Sequence, residues 1–141
     1  MTYGSDMSLE QRVAKIDLTR VMQHVQEDTG MPAEMLVRAE DLYRKFLVLV
    51  GKYGKPMVPP VLVDHVWHAH ITFTRQYMAD CEFLFGEYLH HEPADGEGES
   101  EECSSLFNVV TVEKYQSEFG MNLYAVDVPA GLMVAADCGK G

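Results

Sequence analysis

Apolar residues recur at three- and four-residue intervals through most of the chain, the period of an amphipathic helix. A first such segment runs from about Ser8 to Asp28, with Val13, Ile16, Val21, Met22 and Val25 on its apolar face. Ser8, with Gln11 three residues on, has the form of a capping box, and Gly30 followed by Pro32 marks the stop. The second segment runs from about Pro32 to Val50, and its pattern includes Met35, Leu36, Ala39, Leu42, Tyr43, Phe46, Leu47 and Val50. Its end, FLVLV, is apolar nearly all round, which predicts a central helix. Gly51 is expected to terminate it, and Pro56, Pro59 and Pro60 predict a loop.

The third segment, from about Val61 to His91, is the longest. Beyond it, EPADGEGESEE sets like charges among Gly and Pro, which predicts an exposed, mobile loop over 92–103. These acids lack the twelve-residue calcium-loop pattern. A shorter helix is expected around Thr111 to Phe119, stopped by Gly120, although the preceding FNVV has strand-like composition. In the tail, Pro129 and Gly131 argue against one long helix. The expected fold is all-α: a small helical bundle, one domain over 1–141, with principal helices near 8–28, 32–50 and 61–90 and an irregular C-terminal cover.

Composition narrows the function classes. With 47% hydrophobic residues in 141, the chain can bury a core, which excludes wholesale disorder. Lys and Arg total 11 against 22 Asp and Glu, a formal charge of -11 that repels phosphate backbones and anionic lipid. Nucleic acid and membrane are therefore poor partners. No apolar run reaches spanning length, and the polar, acidic MTYGSDMSLEQR is unlike a secretory signal, so a cytoplasmic location is expected. Cys81, Cys103 and Cys138, an odd number, read as thiols and not as a disulfide framework.

The candidate chemistry lies in the third segment. Five of the six histidines (His65, His68, His70, His90 and His91) fall within residues 63–91, where an even scatter would leave about one. Clustered imidazoles are a sequence trace of a metal site, since neutral imidazole binds zinc, iron, copper and nickel. At about 100° per residue, His70 falls in the middle of the apolar half of the helix, whereas His68 lies on the other side, beside Asp64. Asp64 and His68 are four apart and can converge on one ion or pair with each other. His68 and His70 point about 200° apart on a straight helix, so they cannot chelate together there. His91 would lie about 30 Å from His68 along an unbroken helix. A shared site needs the chain to turn back, and Gly86 is the obvious place.

Val63-Asp64-x-x-Trp67-His68-x-His70, followed by Thr74-Arg75, Tyr77, Cys81, Gly86 and Leu89-His90-His91-x-Pro93, resembles a motif of plant glycine-rich domain proteins and their small bacterial relatives. Tyr115 and Phe119-Gly120 fit the downstream part, so the resemblance spans about residues 34–120. It implies a shared polar site at Asp64, Trp67, His68, His70, His90 and His91, and names no reaction. His65 is not a motif position, and the glycine-rich region itself is missing.

Two readings follow from these residues. In the first, Asp64, His68, His70, His90 and His91 supply ligands for a divalent metal, zinc or iron, whose open positions would permit hydrolytic or oxidative chemistry on a small molecule. In the second, the same residues form a buried hydrogen-bonded network in a non-enzymatic module that binds a protein partner. No serine, lysine or cysteine nucleophile with an adjacent base stands out, so covalent catalysis has no support.

Overall fold

A computed structural model describes residues 7–54, 57–91 and 106–136. The acidic segment 92–103 and the thiols Cys103 and Cys138 lie outside the described residues, while Cys81 is buried as a free thiol. Helices α1 (Leu9–Lys15), α2 (Thr19–Thr29), α3 (Ala33–Tyr53), α4 (Val61–Thr72), α5 (Thr74–Phe85) and α6 (Glu113–Phe119) make up an all-α bundle. Among the described residues the extended pairing is a single bridge, Pro60 with Ala135. No helix among them is long and apolar enough to cross a membrane.

The core assembles around α3, whose Leu47, Val48, Leu49 and Val50 are all buried, as an end apolar on every side requires. Helices α1, α2, α4 and α6 pack against it, and α5 packs on α1 and α4. The α3 helix continues through Gly51 to Tyr53 instead of stopping there. Gly51 leaves room there for the Leu9 side chain of α1: a Cβ would come within 2.4 Å of Leu9 Cδ2 and push that side chain aside.

Two of the expected long helices are broken. The Ser8 capping box forms as expected, with the Ser8 hydroxyl accepting from the Gln11 N–H, but α1 ends at Lys15. Residues 16–18 leave the helix because the Asp17 carboxylate accepts from the Thr19 N–H at 3.0 Å, a local turn that starts α2 anew. Ile16 and Leu18 still bury their side chains, which is why the apolar pattern runs through the break.

The segment 61–90 likewise divides, at Phe73, and its last residues leave the helix after Phe85. The run Ile71-Thr72-Phe73-Thr74 consists of β-branched and aromatic residues that favour helix weakly. The Thr72 hydroxyl also donates to the His68 carbonyl at 3.0 Å, back-bonding that bends helices.

FNVV is not a strand: Phe107–Val112 form a π-helical turn that runs directly into α6. Thr111 holds it in place by donating to the Val58 carbonyl at 2.7 Å. The C-terminal segment is irregular, as expected, and covers the start of α4. The Val61 N–H, an orphan donor of the first helical turn, bonds the Val134 carbonyl at 2.9 Å, and the Ala136 N–H bonds the Pro59 carbonyl at 2.8 Å.

Candidate functional site

Asp64 and His68 stand one turn apart on α4, on the side away from the central core residues Val63 and Val66. At the end of α5, Gly86 takes a left-handed conformation (φ 76°) that a side chain would strain, and the chain turns back there toward α4. His91 thereby reaches Asp64, with its Nε2 2.6 Å from Asp64 Oδ1. His68 Nε2 lies 3.5 Å from the other carboxylate oxygen, Oδ2. One potential ligand atom from each of Asp64, His68 and His91 falls within 4.8 Å of the others, the one such group among the described residues.

The environment of the three is graded. The Asp64 and His91 side chains are 12% and 7% exposed, while that of His68 is 59% exposed. The His91 ring lies between two others, with centroids 4.1 Å from Trp67 and 4.5 Å from His68. One side of the site is thus an aromatic wall and the other opens to solvent.

The segment carrying His91 is tied down from α5. The Tyr77 hydroxyl accepts from the Trp67 indole N–H at 2.8 Å and donates to the Leu89 carbonyl at 2.5 Å. Burial pushes the Tyr77 phenol well above its ordinary range, so it keeps the proton it donates. Burial also raises the Cys81 thiol, partly offset by a hydrogen bond from the Leu89 backbone. Leu89, two residues from His91, is therefore gripped by two residues of α5.

His70 belongs to a separate network. It is 1% exposed, with Nδ1 2.7 Å from the Tyr43 hydroxyl and Nε2 2.7 Å from Asp80 Oδ2. Asp80 as acceptor assigns the ring proton to Nε2, so Nδ1 accepts from Tyr43, whose phenol burial keeps protonated. Both ring nitrogens are then engaged.

A family model for UCP032817-like proteins matches residues 11–107, about two-thirds of the sequence. The chain belongs to the UCP032817-like family. The match takes in Asp64, His68 and His91, and membership in this uncharacterised family names no reaction. Searches of curated proteins and of solved structures returned no match.

Within this UCP032817-like chain, the structure brings together three of the five residues expected to share a site. His70 stands apart because two helical positions turn it away from His68, into the core. His90 is exposed, packs its ring 4.8 Å from Tyr88, and lines a different cavity of about 820 Å³ with Arg12, Lys52 and Phe85. Sequence spacing does not mark Tyr43, Tyr77 or Asp80 as polar partners. Tyr43 and Tyr77 sit in apolar stripes where they read as core, and nothing in the spacing links Asp80 to His70 across the break at Phe73.

Proposed function

We propose that Asp64, His68 and His91 bind one divalent transition metal, zinc or iron, and that its solvent-facing positions serve a metal-dependent reaction on a small molecule. The convergence of three potential ligand atoms from two separate segments carries this reading. Two imidazoles and a carboxylate suit either metal.

Bond lengths test the fit. Tetrahedral zinc with ligands at about 2.0–2.1 Å sets neighbouring ligand atoms about 3.4 Å apart. The His68 to Asp64 separation of 3.5 Å matches that spacing. The 2.6 Å between His91 and Asp64 is a direct hydrogen bond, so an ion would displace His91 by about 1 Å relative to Asp64. The proton on His91 Nε2 would leave that atom, freeing its lone pair for the metal. An exposed His68 and the solvent beside it would leave coordination positions for water or substrate. We also propose the resemblance to plant glycine-rich domain proteins, which implies a shared polar site that includes Asp64, His68 and His91 and names no reaction. We place this activity in the cytoplasm.

The short His91 to Asp64 contact favours one alternative, a structural hydrogen bond that closes the Gly86 turn in a non-enzymatic, protein-binding module. Elemental analysis of untagged protein, purified without added metal, separates the two. A metal content one equivalent lower in His68→Ala than in the native chain supports the metal site. Metal-free protein with unchanged thermal stability in chelator supports the structural network.

A further inference from the structure

His68 also lines a second feature, a cavity of about 120 Å³ between α2 and α4 whose walls include His24, Asp28 and His65. His24 and Asp28 are four apart on α2, and His65 and His68 are three apart on α4, so each helix presents its pair on one face. The two helices pack against each other, which sets the faces opposite. Thr29 and Thr72 complete the lining, but their hydroxyls are committed to the carbonyls of Val25 and His68. Among the described residues, His24, Asp28 and His65 make no hydrogen bond or ion pair, leaving two imidazoles and a carboxylate to face a ligand.

We propose that this cleft is a second metal site, in which His24, Asp28 and His65 clamp a divalent ion of the zinc, nickel or copper class across α2 and α4. Imidazole donors select these ions over magnesium or calcium, which take oxygen. A chain of formal charge -11 also concentrates cations. The three ligand atoms do not stand as close as those of Asp64, His68 and His91. Asp28 is exposed and His24 and His65 are half-buried, with the His24 ring edge-on to Phe73 at 5.8 Å, so holding an ion requires these side chains to change rotamer. None of the three is a ligand of the first site, so this proposal does not depend on that one. The ion would join two helices in the folded state alone, and so would raise Tm by mass action.

The test is zinc titration of the untagged full chain by calorimetry, with Tm read in parallel. Asp64→Asn/His91→Gln removes the first site, and this variant is expected to bind one zinc ion with a rise in Tm. Adding His24→Ala/His65→Ala should abolish both. In the otherwise native chain, His24→Ala/His65→Ala should lower the zinc count by one, which keeps the test valid should the first variant fold poorly. An unchanged zinc count after His24→Ala/His65→Ala, in either background, overturns the second site. A native chain whose only zinc is lost with Asp64→Asn/His91→Gln also overturns it while leaving the first site standing.

Discussion

His91 Nε2 and Asp64 Oδ1 lie 2.6 Å apart although 27 residues separate them in the chain. Two features make the contact. Gly86 permits the left-handed turn that ends α5, and the Tyr77 hydroxyl holds the Leu89 carbonyl so that the returning stretch of chain is fixed just before His91. The His91 ring then packs at a tilt against Trp67, whose indole N–H is bonded to the same Tyr77 hydroxyl. Tyr77 is thus a positioning residue for the site, acting through Leu89 and Trp67.

Tyr77→Phe keeps the ring and deletes the hydroxyl. The Trp67 N–H and the Leu89 carbonyl would lose their partner, at a cost of about 1–3 kcal/mol in urea unfolding. Because the segment ahead of His91 is released, metal affinity should fall although Asp64, His68 and His91 are intact. Unchanged affinity in a destabilised variant would show that Tyr77 serves stability alone.

His70→Ala makes the opposite separation. Tyr43 and Asp80 both bond the His70 ring, and its removal leaves a cavity and a buried phenol without its acceptor. Stability should drop by about 1–3 kcal/mol, while the metal count at Asp64, His68 and His91 stays the same. Loss of metal together with retained stability would return His70 to the ligand set.

Much of this architecture is legible in the amino-acid sequence. Helical periodicity covers the helical stretches but reads α1 with α2, and α4 with α5, as single helices; the reversal at Gly86 follows from asking how His91 could approach His68. The breaks at 16–18 and at Phe73 are hidden for one physical reason: Ile16, Leu18 and Phe73 still pack against apolar neighbours. A hydrophobic pattern records burial and does not register a local change of backbone direction. The role of Gly51 is hidden because close approach of Leu9 is a tertiary fact, whereas a glycine after an apolar run reads locally as a stop. His70 is legible as buried, but its partners Tyr43 and Asp80 come from two other helices, and no single-helix spacing encodes that meeting.

High pH should unfold the protein through its buried phenols. Burial raises Tyr43 and Tyr115 well above the ordinary value of 10.0. Above pH 10 the unfolded chain releases protons that the folded chain keeps, so stability, fully present below that value, falls as pH rises. Each fully buried phenol contributes up to about 1.4 kcal/mol per pH unit. Against a total of about 5–15 kcal/mol, the pair should bring unfolding within a few units above pH 10. Loss of circular dichroism should coincide with the last part of the phenolate absorbance change, because exposed tyrosines such as Tyr88 and Tyr124 can ionise without unfolding. Completion of tyrosine ionisation near pH 10 with helicity unchanged would contradict the burial.

Cobalt(II) titration followed by visible absorption tests the central claim most directly, because the ligand-field bands report the ion's own coordination shell. The native untagged chain should take up cobalt with bands of a low-coordinate nitrogen and oxygen site. Asp64→Asn/His91→Gln should bind one ion fewer per chain and lose the share of the bands that this ion contributes, and added zinc should displace the cobalt from the native protein. Identical cobalt stoichiometry and spectra in the native chain and in Asp64→Asn/His91→Gln would contradict a metal site at Asp64, His68 and His91.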